Sequence, residues 1–149
     1  MRFEDCLCFQ LSRVLRKMAR FYRLRIAPYG LTHTQFFLLI ALYEKDGLTA
    51  GELADKIAVD KATMTGLLDR MERDGFIRRE QDPDDRRSYR IRLTPKAEKL
   101  RDDLWRIYEE INGLFLSCLK PEERKLLGSI INKIEAIDIK DVVRNRLRA

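Results

Sequence analysis

Apolar residues at the start of the chain recur every three or four positions, the spacing of one face of an α-helix. These positions are Phe3, Leu7, Leu11, Val14, Met18 and Phe21. Pro28 and Gly30 are expected to end this first helix. The segment also concentrates six positive charges with no acid among them: Arg13, Arg16, Lys17, Arg20, Arg23 and Arg25. A solvated face, a phosphate contact and an anionic ligand are all open interpretations of this charge.

Two later segments carry the sequence signature of a helix start. Thr32 with Gln35, and Thr49 with Glu52, match the capping box, in which a hydroxyl and a later side chain each accept a backbone N–H. Flanking apolar pairs predict hydrophobic staples: Leu31 with Phe36, and Leu48 with Leu53. The helix after the first box, about 33–45, is too apolar for a surface helix and is predicted to lie in the core.

The next two predicted helices are short and joined by about three residues, which is the helix-turn-helix arrangement. The first covers about 50–57, and the second runs from an N-cap at Asp60 to about Asp74, with Gly75 as its stop. Helical periodicity predicts that the second helix buries Met64, Leu67, Leu68 and Met71. The opposite face of this helix, with the positions that flank that face, carries small, hydroxyl-bearing and charged residues.

The hydrophobic period then changes from helical to alternating. Residues 76–80 and 89–94 are short segments that favour β-strands, and the second alternates apolar with basic residues. Between them, residues 82–88 are rich in turn formers and charge. Together they predict a two-stranded hairpin that must pack on the preceding helices, because an isolated hairpin is marginally stable in water.

The last third of the chain returns to helical spacing. Thr94 followed by Pro95 predicts the start of a long helix. Its apolar positions step in heptads: Ala97, Leu100, Leu104, Ile107, Ile111, Leu114 and Cys118. After Lys120 and Pro121 a last helix continues with Leu127, Ile130, Ile134 and Ile137, and further apolar residues follow at Val142, Val143 and Leu147. This apolar surface exceeds what the middle of the chain can cover, so dimerisation through both ends is predicted.

Length and composition narrow the class of protein. A chain of 149 residues is about one domain, and its 45% hydrophobic and 36% charged residues indicate a globular protein. No apolar run reaches the ~20 residues that span a bilayer. Acidic Glu4 and Asp5 do not fit a secretory leader, and three cysteines cannot all pair within one chain. A cytoplasmic protein without membrane contact is therefore predicted.

Candidate chemistry argues against an enzyme. The chain has no phosphate-cradling glycine loop, no HExxH and no nucleophile elbow. Its single histidine, His33, makes a dedicated metal site improbable, so neither a metal nor another cofactor is predicted. The net charge of +6 makes a polyanionic partner worth testing.

The order of these elements, with two motifs, resembles the MarR family of bacterial transcriptional regulators. Residues 82–88 (DPDDRRS) and 92–95 (RLTP) resemble that family's wing and the start of its dimerisation helix, and residues 65–77 resemble its recognition helix. The resemblance implies a mainly α fold with a two-stranded wing. It assigns 31–94 to a winged helix-turn-helix domain, and 1–30 with 95–149 to a dimerisation region.

The same resemblance implies a function. The expected protein is a homodimeric, sequence-specific DNA-binding regulator, usually a repressor, on a pseudo-palindromic duplex. A small anionic or phenolic effector would bind between the two regions and change the separation of the recognition helices. A helical dimeric module that binds other proteins and not DNA is the alternative outside this class, and steep loss of affinity with salt would distinguish a DNA binder.

Candidate DNA contacts follow from the chemistry of groove recognition, which needs small or hydrogen-bonding side chains near the N-terminus of a recognition helix. Near the start of the predicted helix these are Lys61, Ala62, Thr63, Thr65 and Gly66, and the later residues Arg70 and Arg73 on its exposed side are further candidates. Asp69 on that face would repel phosphate unless it accepts from a cytosine amine or pairs with Arg73, and we favour the pairing.

The wing supplies the remaining candidates. The resemblance implies that Arg87 enters the minor groove and is oriented by Asp85, with Arg86 as the second choice. The alternative is that both arginines only neutralise the carboxylates of residues 82–85.

Two further hypotheses concern sensing. Cys8 and Tyr22 resemble the cysteine and tyrosine of the family's hydroperoxide-sensing branch, although Ser12 and His33 stand where that branch has further tyrosines. A buried, structural Cys8 is the alternative. The predicted effector pocket involves Arg16, His33 and Trp105, with core packing as the alternative for Trp105.

Overall fold

The computed structural model describes residues 2–138, and within this range the chain forms seven α-helices and three β-strands. In chain order they are α1 (Leu7–Ile26), α2 (His33–Glu44), β1 (Leu48–Thr49), α3 (Ala50–Lys56), α4 (Lys61–Arg73), β2 (Ile77–Gln81), β3 (Tyr89–Leu93), α5 (Pro95–Glu98), α6 (Arg101–Ser117) and α7 (Pro121–Glu135). None of the described helices is both long and apolar enough to cross a membrane. This mainly helical winged fold confirms the predicted class.

Helix α2 is the centre of the core, as its composition predicted. The Thr32 hydroxyl accepts from the Gln35 N–H at 3.3 Å, and the Gln35 side chain accepts from the Thr32 N–H at 2.8 Å. The second predicted capping box also forms, between Thr49 and Glu52. All four staple residues, Leu31, Phe36, Leu48 and Leu53, are buried. Local capping and apolar contact therefore determine where α2 and α3 begin.

The sheet corrects the predicted two-stranded wing. It has three antiparallel strands in the order β1-β3-β2, with Leu48 opposite Ile91 and Ile77 opposite Leu93. Strand β1 is too short to show an alternating pattern, and Thr49 in its extended conformation serves both as a strand residue and as the N-cap of α3. A strand from the helical part of the chain therefore pairs with the hairpin at Arg90 and Ile91 of β3.

The prediction of one continuous long helix from Pro95 is wrong in one respect. A turn at Lys99 and Leu100 separates α5 from α6. At this turn the Leu100 N–H donates to the Ala97 carbonyl, three residues back, at 3.1 Å. The Arg101 guanidinium donates to the Tyr43 carbonyl at the end of α2, at 2.7 Å. Next to this turn the chain thus makes a tertiary contact with α2, which heptad spacing does not reveal.

The chain divides into two compact units, the first ending at Ile111 and the second beginning at Asn112. In the first, the α6 positions Leu104, Ile107 and Ile111 are buried. The second exposes apolar side chains of α6 and α7, namely Leu114, Leu126, Leu127, Ile130 and Ile131. Helix α1, in the first unit, likewise exposes Leu7, Leu11, Val14, Leu15 and Phe21. The apolar positions noted at Val142, Val143 and Leu147 lie outside the described residues.

Candidate nucleic-acid interface

Helix α4 begins at the predicted N-cap. An Asp60 carboxylate oxygen accepts from the Thr63 N–H at 2.8 Å, and the other accepts from the Thr63 hydroxyl at 2.7 Å. These bonds hold the pKa of Asp60 below its usual value. The predicted apolar stripe is buried, since Met64, Leu67, Leu68 and Met71 are each at most 2% exposed. Anchoring on this side leaves the opposite face of α4 free.

The free face carries the candidate residues at the start of α4. Lys61, Ala62, Thr63, Thr65, Arg70 and Arg73 are exposed, and Gly66 is half-exposed. The Thr65 hydroxyl donates to the Lys61 carbonyl at 3.0 Å, so both threonine hydroxyls already use their hydrogens inside the helix. Their oxygens remain available as acceptors. A Cβ at Gly66 would have the Arg70 guanidinium, at 3.8 Å, as its nearest neighbour, so this part of the face is open.

The predicted pairing of Asp69 with Arg73 is wrong. Asp69 pairs at 2.7 Å with Arg79 of β2, and Arg73 lies nearest Asp74 at 3.5 Å. Arg79 also binds Glu72 on α4. The spacing of four residues along a helix suggested a local partner, but the strand that follows supplies a closer one. Sequence reasoning missed Arg79, although its position two residues after buried Ile77 places it on the inner side of the strand.

The wing tip (residues 82–88) is organised by its aspartates. The Arg87 N–H donates to an Asp85 carboxylate oxygen at 2.9 Å, so Asp85 orients the backbone at Arg87. Asp82 is buried and accepts from the Asp84 N–H and from Arg90, both at 2.9 Å. Its bond from the Asp84 N–H, with the nearby charge of Arg90, keeps the pKa of Asp82 below its usual value. Asp82 and Arg90 therefore secure the base of the tip, a role that sequence reasoning did not assign.

Charge compensation separates two classes of basic residue around α4 and the wing. One class forms ion pairs: Arg78 with Glu80, Arg79 with Asp69 and Glu72, Arg90 with Asp82, and Arg92 with Asp46 and Glu80. The other class has no carboxylate within 4 Å in the described part of the chain: Lys61, Arg70, Arg86 and Arg87. The alternative in which the tip arginines only neutralise neighbouring carboxylates requires ion pairs that the structure does not contain. The uncompensated charges lie at the start of α4, further along α4 and at the wing tip.

A cleft of about 470 Å³ lies beside the helix-turn-helix within the first unit. It is lined mainly by α2 and the turn between α3 and α4, with residues His33, Phe37, Glu44, Lys56, Ala58, Val59 and Tyr108 among its walls. Lys56 and Glu44 form a 2.7 Å ion pair there. Ala58 adopts a left-handed backbone conformation with φ of 54°. A molecule bound in this cleft would therefore contact the turn between α3 and α4.

The predicted pocket residues do not converge. His33 lines the cleft, and burial together with the nearby charge of Arg23 lowers its pKa. Trp105 lines a different groove, of about 390 Å³, with Tyr43 and Arg101, while Arg16 is exposed on α1 and lines neither space. Tyr108 was missed, although it follows Trp105 by three residues and lies off the heptad seam. Its ring lies 5.6 Å from that of Trp105 and 6.4 Å from that of Phe37.

Cys8 and Tyr22 are also separate within a protomer. Cys8 is exposed in one protomer, so a buried structural cysteine is not found within a single chain. Tyr22 is buried and packs against the rings of His33, Phe36 and Phe37 at centroid distances of 5.2–5.5 Å. Fourteen residues of helix separate the two side chains by roughly 21 Å, too far for a hydrogen bond. Among residues 2–138, no group of three potential ligands is placed to hold a metal ion.

Comparison with known proteins agrees with this geometry. The model of the MarR family matches residues 31–89, from the start of α2 into β3. The transcriptional regulator MgrA of Staphylococcus aureus is 31% identical over 132 residues, which cover 88% of this chain and 88% of MgrA. This chain belongs to the MarR family. TtmR of Methylorubrum extorquens, another transcriptional regulator, is 32% identical over 127 residues, which are 85% of this chain and 65% of the length of TtmR.

Solved structures of MarR-type regulators share the fold. BpsR of Bordetella bronchiseptica, whose DNA binding is regulated by 6-hydroxynicotinic acid, superimposes with a TM-score of 0.81 at 25% identity over 93% of this chain and 99% of BpsR. AbfR bound to DNA in its overoxidized form gives a TM-score of 0.71 at 26% identity, over 87% of this chain and 90% of AbfR. This MarR-family chain is accordingly a DNA-binding transcriptional regulator, as the motifs predicted.

Proposed function

We propose that this regulator binds a pseudo-palindromic duplex as a homodimer. The start of α4 enters the major groove and the wing tip reaches the adjacent minor groove, with half-sites about one helical turn apart. The observation that supports this most concerns the basic residues of α4 and the wing: Lys61, Arg70, Arg86 and Arg87 have no acidic partner among the described residues, whereas the others there are ion-paired. Exposed Ala62, Thr63, Thr65 and Arg73, with half-exposed Gly66, complete the proposed contact face, and Asp85 orients Arg87.

The homodimer is supported by unpartnered apolar surface. Leu7, Leu11 and Val14 on α1, and Ile130 and Ile131 on α7, are all about half exposed in one protomer. An exposed apolar stripe of this kind, present on each of the two helices, marks an interface. A second copy is the natural partner, because a two-fold axis lets the same faces cover one another. The proposed division is a DNA-binding region at 31–94 and dimerisation through 1–30 and 95–149.

The proposed mode of regulation is repression relieved by a small effector. The cleft beside α2 offers an apolar, aromatic wall, with His33 and the Lys56–Glu44 pair as polar groups. These groups suit a small phenolic or anionic aromatic compound. Its binding would alter DNA affinity only through different affinity for two positions of α4. An effector that contacts the turn at Ala58, which leads into α4, would bind the two positions of α4 with different affinity.

The test is an Arg87→Ala variant assayed on a duplex that the wild-type protein selects from a randomised library. The variant dimer loses one minor-groove arginine in each half-site, so binding should weaken about a hundredfold or more, since each specific contact is worth about 1–3 kcal/mol. Fluorescence anisotropy titrations measure the affinity, and sedimentation should show an unchanged dimer. Lys45→Ala, which removes a positive charge elsewhere in the same unit, is the matched control and should bind as wild type.

Two results would contradict this proposal. Equal affinity of Arg87→Ala and wild type would remove the wing tip from the interface. A wild-type protein that selects no duplex and ignores DNA at low salt would favour the protein-interaction module instead, because phosphate contacts strengthen as salt falls.

Peroxide sensing is a second candidate, supported by the exposed thiol of Cys8. Because Tyr22 lies too far along α1 to bond that thiol in the same protomer, this candidate depends on Cys8. Cys8→Ser should abolish peroxide-induced release from the selected duplex, and Cys118→Ser, at another exposed thiol, should not. Release that persists in Cys8→Ser would assign peroxide sensitivity to another residue.

A further inference from the structure

The contact that connects the recognition helix to the wing is made by Arg79. Its guanidinium bonds Asp69 at 2.7 Å through one nitrogen and Glu72 through the other. Its backbone N–H also donates to the second Glu72 oxygen at 3.1 Å. One residue of β2 therefore makes three polar contacts with two successive turns of α4.

Among the ion-paired arginines of the hairpin, Arg79 has the least exposed side chain. The Arg79 side chain is 27% exposed, whereas that of its neighbour Arg78, which pairs with Glu80, is 61% exposed. A planar guanidinium held between two carboxylates is more directional than a single ion pair. Arg79 is thus suited to fix orientation as well as to contribute stability.

The place of Arg79 in the chain determines what it orients. It lies opposite Ile91 in the hairpin, and two residues later the last pair of the ladder, Gln81 with Tyr89, leads into the wing tip. Strand β1 also holds the hairpin, but it pairs with β3 on the side opposite β2, at the Leu48–Ile91 and Thr49–Arg90 positions. Among the ion pairs described, those of Arg79 are the ones that join α4 to the hairpin.

We propose that Arg79 is a positioning residue of the DNA interface, setting the separation between the exposed face of α4 and the arginines of the wing tip. Arg79 itself need not touch DNA. The same contact neutralises Asp69, whose carboxylate on the face of α4 would otherwise repel phosphates. This inference rests on the proposed DNA-binding mode. Two measurements distinguish a failure of the positioning role from a failure of the DNA-binding proposal.

The first readout needs no DNA. Hydrogen exchange of the wing amides is compared for wild type, Arg79→Ala and the adjacent control Arg78→Ala. Loss of the α4 contacts should raise exchange in β2 and the wing tip by about tenfold in Arg79→Ala, because local opening there costs less free energy. Arg78→Ala should exchange as wild type. Equal exchange in the two variants would overturn the positioning role.

The second readout is a double-mutant cycle with Arg87→Ala on the duplex selected by wild type. Each single variant should bind clearly more weakly than wild type, but Arg79→Ala with Arg87→Ala should lose well under the product of the two single losses, because residues that act through one another are not additive. Arg78→Ala should be additive with Arg87→Ala. Arg79→Lys should restore part of the affinity, since an ammonium can hold one carboxylate but lacks the guanidinium fork.

The outcomes are distinguishable. Additive losses in the Arg79 cycle, with normal binding by wild type, would overturn the positioning role and leave the DNA-binding proposal intact. Failure of wild type to select any duplex would overturn both. If Arg79→Ala does not fold, Asp69→Asn removes one of the two ion pairs with little change of shape, and it should show the same non-additivity with Arg87→Ala.

Discussion

Helices α4 and α1 are both amphipathic, but within one protomer the apolar face of α4 is buried and that of α1 is exposed. The stripe on α4 is at most 2% exposed, because α3 and the sheet cover it within the same protomer. On α1, Leu11 of the apolar stripe remains 48% exposed. Periodicity therefore shows that a helix has a face to bury, but it does not show whether the covering surface belongs to the same chain.

The largest expected effect is in the covered stripe of α4. Met71→Ala should lower the free energy of unfolding by about 2–5 kcal/mol, the usual cost of truncating a fully buried methionine. Urea unfolding at one fixed protein concentration measures it. Leu24→Ala, at a position that is 78% exposed on α1, is the control and should change little. A comparable loss in both variants would remove the contrast between the helices.

The exposed stripe of α1 should respond through association. Leu11→Asp places a charge in the proposed interface and should weaken the dimer at least a hundredfold, because each dimer buries two such charges. Sedimentation equilibrium measures the dissociation constant. Leu24→Asp adds the same charge at a more exposed site on α1 and should leave the dimer intact. Identical dissociation constants for both variants would show that this stripe is not the interface.

A smaller effect should come from the turn before α4. Ala58 has a positive φ of 54°, which costs a non-glycine residue of order 1–2 kcal/mol. Ala58→Gly should therefore stabilise the protein by about 1 kcal/mol without changing its self-association. Ala62→Gly, inside α4, should destabilise it by about as much. Destabilisation by both glycines in urea unfolding would show that the turn is not strained.

The smallest effect concerns pH. Burial and the charge of Arg23 lower the pKa of His33, so its folded state binds fewer protons than its unfolded state just below pH 6.5. The associated stability is complete above pH 6.5 and is lost as pH falls from there through the lowered pKa. An NMR titration is unambiguous because the chain has one histidine. A midpoint at or above 6.5 would contradict this assignment.

Local signals were sufficient for much of the fold and of the candidate site. The capping boxes at Thr32 and Thr49, the N-cap at Asp60 and the buried stripe of α4 all occur where the sequence predicted them. Each depends on residues within about two helical turns, so spacing alone specifies it. The hydrogen bond between Asp85 and the Arg87 N–H is local in the same sense.

Long-range partners were not predictable in this way. Strand β1 forms because Leu48 and Thr49 meet β3, which lies some forty residues later in the chain. Asp69 pairs with Arg79 instead of Arg73, and the turn between α5 and α6 follows from Arg101 reaching α2. His33 and Trp105 line different spaces for the same reason.

By itself, then, the sequence determined which segments become helices or strands and which side of each is apolar, since these depend on the chemistry of neighbouring residues. The tertiary structure decided which charges remain uncompensated. On α4 and the wing, ion pairs occupy Arg73, Arg78, Arg79, Arg90 and Arg92, which leaves Lys61, Arg70, Arg86 and Arg87 without an acidic partner among the described residues. The physical reason is that a charge is neutralised by whichever carboxylate lies nearest in space, and folding decides that proximity.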